Sequence, residues 1–244
     1  MFIEIEKCSF CGGRDYNEDS VEFFENGSEG LLIVADGLGG HGGGKIASEK
    51  AIEIIGNNLW DHSKNSIQKN SDINKIFAET NNSIIDMQTN SIKMKTTAVV
   101  SLIDKKGYKF AHVGDARAYH FFNQELIRRT IDHSVSQLSV LSGDIKEDEI
   151  RFNEDRNRLL KALGSENEPT PTIVEGVFDK KGRHAFLLCT DGFWEYIIEN
   201  EMIIELIKSE SPKSWLQNMV RRISKNVGSN CDNFSAVAGF VYVK

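Results

Sequence analysis

The pattern of hydrophobic and polar positions changes its period along the chain. Residues 2–10 alternate between apolar and polar side chains, which predicts a first strand. Two further apolar runs, 21–24 and 31–35, flank Asn26-Gly27, a dipeptide that favours a tight hairpin turn. We therefore expect the chain to begin with three strands, of which the last two pair.

The pattern then becomes helical and later returns to strands. Apolar residues recur every three or four positions over 46–60 and 73–87, which predicts two amphipathic helices. Four short apolar runs separated by turn residues follow, and we interpret them as an antiparallel meander: 98–103, 108–113, 118–122 and 125–129.

The last hundred residues mix both periods. We predict three short helices at 135–141, 146–151 and 156–163, strands at 172–178 and 184–189, helices at 199–208 and 214–225, and a closing strand at 234–243. Helices and strands are grouped rather than alternating one by one, which favours an α+β layered fold. Because no repeat or linker interrupts the pattern, we expect a single domain over residues 1–244.

Composition excludes some function classes. Of 244 residues, 29 are Lys or Arg and 36 are Asp or Glu, so the formal net charge is -7, which argues against a general nucleic-acid or anionic-membrane binder. No apolar run approaches the ~18 residues that span a bilayer. The first residues alternate like a strand and lack the features of a signal peptide. We therefore expect a cytoplasmic protein with no membrane partner.

The four cysteines do not indicate a metal or redox centre. Cys189 and Cys231 lie on apolar segments and are predicted to be buried thiols. Cys8 and Cys11 have CxxC spacing, but no second Cys or His pair follows for zinc. Two glycines follow Cys11, whereas a redox motif favours a helix. We interpret both residues as packing residues.

Carboxylates recur where apolar strands end. Asp36-Gly37 follows the run 31–35, and four more Asp residues occupy comparable strand-end or turn positions: Asp19, Asp115, Asp191 and Asp232. Such carboxylates hold hard divalent cations through oxygen. Each could instead cap a turn. Because clustered buried carboxylates must be paired or metal-bound, the set as a whole favours a metal site.

These stretches, in this order, resemble the metal-dependent protein serine/threonine phosphatases, the PPM or type 2C family. The matching stretches are Arg14-Asp15-Tyr16-Asn17-Glu18-Asp19, Asp36-Gly37-Leu38-Gly39-Gly40-His41, Val113-Gly114-Asp115, Thr190-Asp191-Gly192 and Cys231-Asp232-Asn233. The resemblance implies two antiparallel β-sheets in a sandwich with helices on both outer faces. It also implies a flap segment at about 132–165 and the bacterial stand-alone type of the family.

The resemblance implies a role for each site residue. Asp36 would bridge two cations, the carbonyl of Gly37 would join one of them, and Asp191 and Asp232 would hold the other. Asp19 and Glu18 would act through water, Asp115 would serve a third, weaker site, and Arg14 would bind phosphate. Arg14 could instead be a surface residue, and Asp115 could pair locally with Arg117.

The implied activity is hydrolysis of phosphoserine and phosphothreonine in proteins by a metal-activated water, without a covalent intermediate. The cofactors would be Mn²⁺ or Mg²⁺, two held tightly and a third held weakly. Partners would be phosphorylated substrates of a Ser/Thr kinase, with no nucleic acid, and the chain would be a monomer. Two alternatives stay open: a catalytically idle phosphoprotein-binding regulatory module, and a phosphatase of a small phosphoester.

The chain departs from the family pattern near Asp36-Gly37. Some members place a general-acid His directly after Asp-Gly, where this chain has Leu38; His41 follows three positions later, and we do not transfer the role to it. Lys45 stands where Glu is frequent. We further expect Thr96 and Thr97 to pack, Arg117 to form a structural bond or ion pair, and His112 and His133 to be hydrogen-bonded structural residues.

Overall fold

A computed structural model describes residues 1–39, 42–69, 71–228 and 230–244. In its first half the elements are β1 (Phe2–Phe10), β2 (Ser20–Glu25), β3 (Gly30–Ala35), β4 (Gly37–Leu38), α1 (Gly43–Leu59), β5 (Trp60–Asp61), β6 (Ser66–Ile67), α2 (Ile73–Met87), β7 (Lys95–Thr96), β8 (Ala98–Asp104) and β9 (Gly107–Val113). The second half contains β10 (Arg117–Phe122), β11 (Glu125–Arg129), α3 (Val135–Ser142), a 3-10 helix (Glu147–Phe152), β12 (Thr172–Val177), β13 (Gly182–Cys189), α4 (Asp191–Trp194), α5 (Glu199–Ile207), α6 (Pro212–Asn226) and β14 (Phe234–Val243).

Ten strands form two five-stranded antiparallel sheets. Sheet one has the order β1-β14-β13-β10-β11 and sheet two the order β12-β9-β8-β3-β2. The remaining short strands pair as β4-β7 and β5-β6. In β3 the alternating side chains separate two cores, because neighbours along a strand point to opposite faces. Leu32 and Val34 pack between the sheets, whereas Leu31 and Ile33 pack beneath the helices α1 and α2.

A third core lies on the outer face of sheet one. There α5 and α6 bury Met202, Trp215 and Met219 against the strands. The layers are therefore helix, sheet, sheet, helix, and the predicted sandwich with helices on both faces is confirmed.

The predicted meander is wrong in one respect. The strands β8 and β9 pair in sheet two, whereas β10 and β11 pair in sheet one. The chain crosses between the sheets at Gly114, whose φ is 101° and whose added Cβ would lie 2.5 Å from the Thr97 side chain. Only glycine suits this backbone and space. The crossing places Asp115 at one end of the sandwich.

Most predicted helices and strands match within three residues, but the helix expected at 156–163 is wrong. Its backbone bonds are made to distant parts of the chain: Leu160 N–H donates to the His133 carbonyl at 2.8 Å, and Leu163 exchanges two backbone bonds with Thr96 at 2.8 and 3.1 Å. These tertiary bonds use the groups that a helix would pair internally. The segment contains turns and isolated bridges instead.

Cys189 and Cys231 are buried, as predicted, and Cys8 and Cys11 are partly exposed free thiols. Across the ranges described above, no helix is both long enough and apolar enough to cross a membrane.

Candidate active site

Asp36 is held by its backbone at the end of β3. Its N–H donates to the Thr97 hydroxyl at 3.1 Å, and its carbonyl accepts from the Thr96 hydroxyl at 2.8 Å and from the Thr97 N–H at 2.9 Å. Thr96 and Thr97 therefore position Asp36, which is more than the packing role expected for them. The next residue, Gly37, could carry no side chain, since a Cβ would lie 2.2 Å from the Gly44 carbonyl oxygen.

Asp191 begins the short helix α4 and lines the same cleft as Asp36. After burial, the charge of Asp191 is the largest influence that raises the pKa of Asp36, so the two carboxyl groups lie close together. The preceding residue, Thr190, donates from its hydroxyl to the buried Asp19 carboxylate at 3.0 Å. Three predicted site residues that lie far apart in sequence thus meet at one end of the sandwich.

Burial and mutual repulsion raise the pKa values of the clustered carboxyl groups. Burial raises the pKa of Asp36 well above its usual range, and the neighbouring Asp191, Asp19 and Asp115 raise this pKa further. Burial raises the pKa of Asp19 to about 7, with a further contribution from Asp191. Buried carboxylates that repel one another favour binding either protons or cations.

Asp115 joins the cluster at the sheet crossing. Burial, followed by the Asp191 charge, raises the pKa of Asp115 well above its usual range. Its backbone carbonyl accepts from the Trp194 indole N–H at 3.0 Å. The local alternative for Asp115, an ion pair with Arg117, is not formed: Arg117 donates twice to Asp132, at 2.9 and 2.7 Å.

The Arg117–Asp132 pair connects the segment 132–165, where we expect a flap, to the carboxylate cluster. Both side chains are 1% exposed, and the guanidinium carbon of Arg117 lies 3.5 Å from the centre of the Trp194 ring. The expected structural ion pair of Arg117 is therefore confirmed. Trp194 connects this pair to Asp115, so the start of the flap segment contacts the cluster through two intervening side chains.

Arg14 and Asp232 face each other at the rim of the site. Arg14 donates from Nη2 to the Asp232 carboxylate at 2.8 Å, and both side chains are partly exposed. The other Asp232 oxygen accepts from the Asn233 backbone N–H at 2.8 Å. Arg14 is therefore an exposed residue that pairs with Asp232, and Asp232 is brought to the site but is directed toward Arg14.

These residues line a cleft of about 920 Å³. Its walls include Arg14, Glu18, Asp36, Gly37, Asp115, Asp191 and Asp232. Asp19 lies behind the cleft wall and is 2% exposed. Leu38 also lines the cleft, and Lys45 donates to the Asp19 carbonyl at 3.0 Å. His41 lies outside the described residues.

The segment expected to be the flap borders the same cleft. Asn157 and Leu159 contribute to its wall. Nearby, Arg156 donates to Glu195 at 2.9 Å, which attaches the segment to the residues that follow α4.

The donor set suits hard divalent cations. Its candidate ligating atoms are carboxylate and carbonyl oxygens. A bound cation would reduce the electrostatic repulsion among the carboxylates. Within the ranges that the structure describes, no three His, Cys, Asp or Glu side chains are already arranged as a metal-ligand group.

The two histidines near the site differ. His133 accepts from the Gly114 N–H at 3.2 Å and bonds the Thr172 hydroxyl at 2.8 Å, as expected for a structural residue. His112 stacks on His133 at 4.5 Å and is fully buried, but neither of its ring nitrogens has a partner among the described residues. The expectation that His112 is hydrogen-bonded is therefore wrong.

A second cavity, of about 730 Å³, lies at the opposite end of the sandwich. His120 and His184 line it and bond each other at 2.9 Å, while their outer nitrogens bond the Tyr108 hydroxyl at 3.0 Å and the Lys180 carbonyl at 2.9 Å. Because all four ring nitrogens of these two histidines are hydrogen-bonded within the protein, neither residue is free to act on a ligand. The carboxylate cleft is therefore the candidate active site.

Comparisons with known proteins show which proteins this chain is similar to. The family model described as protein phosphatase 2C matches residues 13–231. The serine/threonine phosphatase stp of Listeria monocytogenes is 31% identical over 206 residues, covering 81% of this chain and 79% of that protein. The solved serine/threonine phosphatase of S. agalactiae superposes with a TM-score of 0.84 at 24% identity, covering 100% of both chains. The catalytic domain of PstP, solved with two manganese ions, superposes with a TM-score of 0.79 at 23% identity, covering 98% of this chain and 99% of that one.

Proposed function

The chain belongs to the protein phosphatase 2C family, and we propose that it hydrolyses phosphoserine and phosphothreonine in proteins with a water molecule as the nucleophile. The expected family and enzyme class are confirmed by the comparisons. The mechanism, the residue roles and the cofactors are the proposal. The observation that carries it is the meeting of Asp36 and Asp191 in a cleft that also holds Arg14.

The carboxylates would hold the cofactors. Asp36, the Gly37 carbonyl, Asp191 and Asp232 would be the protein ligands of the cations. Mn²⁺ or Mg²⁺ suits these oxygen donors, and the manganese ions in the PstP structure support the choice. When bound, such cations supply a water that is deprotonated near neutral pH for attack on phosphorus.

The other residues would orient ligands and charge. Glu18 lines the cleft and is assigned to hold cation-bound water. Asp19 supports the cluster from behind, where Thr190 fixes its carboxylate. Arg14 would grip two phosphoryl oxygens with its planar guanidinium and neutralise their charge. No protein nucleophile is needed, so no covalent intermediate forms.

Leu38 cannot protonate the leaving alcohol, because its side chain carries no exchangeable proton. The proton must then come from solvent or from another group in the cleft. The flap segment would supply contacts to the protein substrate, since Asn157 and Leu159 lie in the cleft wall.

Asp115 is assigned to a third and weaker cation site shared with Asp191. The influence of Asp191 on the pKa of Asp115 supports this pairing. Asp115→Ala should leave two tight Mn²⁺ ions in place and lower kcat on a phosphothreonine peptide. Loss of the tight ions would instead place Asp115 in the paired site, and an unchanged kcat at every Mn²⁺ concentration would leave Asp115 a structural residue.

Phosphate release from a phosphothreonine peptide, with Mn²⁺ and after chelation, tests the proposal. We expect turnover only with the cation, and a loss of ~100-fold or more in Asp36→Asn. Asp86→Asn, which changes an exposed acid on α2, is the matched control. Full activity after exhaustive removal of metal would disprove the mechanism. Binding of the phosphopeptide without release would favour an idle regulatory module, and turnover of small phosphoesters alone would favour the other alternative.

A further inference from the structure

We propose that Asn233 is a positioning residue that holds the Arg14 loop in the conformation needed to bind phosphate. The inference rests on the proposed phosphate-binding role of Arg14. It adds a residue that acts through Arg14 rather than on the reacting atoms.

The side-chain amide of Asn233 connects two distant parts of the chain. Nδ2 donates to the carbonyl of Cys11 at 2.8 Å and to the carbonyl of Tyr16 at 2.9 Å, and Oδ1 accepts from the Glu18 N–H at 2.9 Å. Both amide hydrogens are therefore used, and the residue is 6% exposed. Cys11 and Tyr16 lie on either side of Arg14, so the one amide closes the loop that carries it.

The Arg14 side chain has few other restraints. Its guanidinium is paired only with Asp232 among the described residues, and the side chain is 58% exposed. The location of the guanidinium therefore depends on the backbone of the loop. A neighbouring backbone bond, from Gly13 N–H to the Cys231 carbonyl at 2.9 Å, attaches the same loop to the same turn. Within the loop, the Arg14 N–H donates to the Cys11 carbonyl at 3.2 Å and the Cys11 thiol to the Arg14 carbonyl at 2.8 Å. Asn233 supplies three further bonds that hold its two ends together.

Bidentate binding of phosphate requires an accurately placed guanidinium. A displacement of about 1 Å can cost ~100-fold in function. Removing the amide takes one partner from the Cys11 carbonyl and leaves the Tyr16 carbonyl and the Glu18 N–H without the bond that Asn233 gave them. The loop then loses the contacts that join its two ends, so its shape is less restrained. Asn233→Asp keeps the size of the side chain but directs a carboxylate oxygen at the two carbonyls. We therefore expect Asn233→Asp to be no better than Asn233→Ala.

A double-mutant cycle between Asn233 and Arg14 tests the inference. The measurements are the dissociation constant of inorganic phosphate with the Mn²⁺-loaded protein, and kcat and KM on a phosphothreonine peptide. Asn233→Ala should weaken phosphate binding about tenfold, and KM should rise more than kcat falls. In the Arg14→Ala background the same change should have less than a twofold effect, because it acts through Arg14.

Asn81→Ala is the matched control. Asn81 is also a buried amide with three bonds: Oδ1 accepts from the N–H groups of Gly164 and Ser165 at 2.8 and 3.1 Å, and Nδ2 donates to the Ser165 carbonyl at 3.1 Å. Its loss should lower the melting temperature while phosphate affinity changes less than twofold. If Asn233→Ala does not fold, Asn233→Ser carries the same test, because its hydroxyl cannot reach both carbonyls.

The outcomes separate the inference from the proposed function. Effects of Asn233→Ala and Arg14→Ala that multiply in the double variant would overturn the inference. A loss of Mn²⁺ affinity in Asn233→Ala as large as that in Asp232→Asn would also overturn the inference, because it would show that Asn233 acts through Asp232 and not through Arg14. A wild-type protein that releases no phosphate, or an Arg14→Ala variant with unchanged phosphate affinity, would instead overturn the proposed function.

Discussion

Arg14 donates to the Asp232 carboxylate at 2.8 Å, so the residue proposed to bind phosphate neutralises a residue proposed to bind a cation. A cation and the Arg14 guanidinium would compete for the Asp232 carboxylate. Cation binding at Asp232 would therefore release Arg14 toward the phosphate. The two events are then linked, and linkage of binding free energies is reciprocal.

This pair predicts that Arg14→Ala tightens Mn²⁺ binding when no phosphate is present. Because both side chains are partly exposed, we expect an increase of about two- to fivefold, the size of an exposed ion pair. Titration calorimetry with Mn²⁺ measures it. Lys45→Ala is the control: Lys45 contacts the Asp19 carbonyl but no carboxylate of the cleft. Equal tightening in both variants would show a general effect of charge and no specific competition.

The carboxylate cluster predicts that Asp36→Asn stabilises the metal-free protein. In the folded state the pKa of Asp36 is raised, so the folded protein binds more protons than the unfolded chain. The stability that protonated Asp36 contributes is present below its pKa in the unfolded chain. It is lost as the pH rises from that value through the raised pKa of the folded state. The asparagine variant lacks this loss, and its advantage should grow with pH to about 1 kcal/mol or more.

Urea unfolding in chelator, at several pH values, checks this prediction. Added Mn²⁺ should stabilise the wild type more than Asp36→Asn, because the variant has lost a ligand. Asp86→Asn provides the baseline for removing one acidic charge. A variant that is less stable than the wild type at every pH would show that the carboxylate stabilises the fold even without a cation.

The buried Arg117–Asp132 pair predicts a large cost for removing one partner. Arg117→Met should destabilise the protein by about 3–5 kcal/mol, because it leaves Asp132 buried without its counter-ion. The double variant Arg117→Met with Asp132→Leu should recover most of that loss. Denaturant unfolding measures both, and Arg221→Met, at an exposed arginine, is the control. A loss below about 1 kcal/mol in the single variant would contradict the burial of the pair.

We expect the burial of His112 to lower the free energy of unfolding at acidic pH. Burial lowers the pKa of His112 to about 3, with a further contribution from His133. Between that value and the unfolded pKa of about 6.5 the unfolded chain binds one more proton, so stability falls as pH falls through this window. His112→Leu should make the slope shallower by about 1.4 kcal/mol per pH unit.

The difference in slope between wild type and His112→Leu isolates this residue, because the other titrating groups are common to both proteins. His62→Gln, at an exposed histidine, should leave the slope unchanged. Parallel curves for the wild type and His112→Leu would show that the buried imidazole is charged in the folded protein.

The sequence by itself determined most of the secondary structure. Strand β1 and helix α2 have the bounds that periodicity predicts. In β1 the alternate residues Ile3 and Ile5 pack between the sheets, and in α2 the apolar residues recur on the buried face. It also identified the candidate carboxylates, since Asp36 and Asp191 stand where buried strands end. The roles assigned to these residues stay predictions.

Only the tertiary structure decided how these pieces meet. Periodicity reports which face of an element is buried and is silent on its partner, so it could not show that β9 and β10 belong to different sheets. For the same reason the sequence did not show the bonds from Asn233 to the Arg14 loop or the pairing of Arg14 with Asp232, which join positions more than 200 residues apart. Such contacts depend on the packing of the whole sandwich, whereas strand and helix patterns depend on near neighbours in the chain.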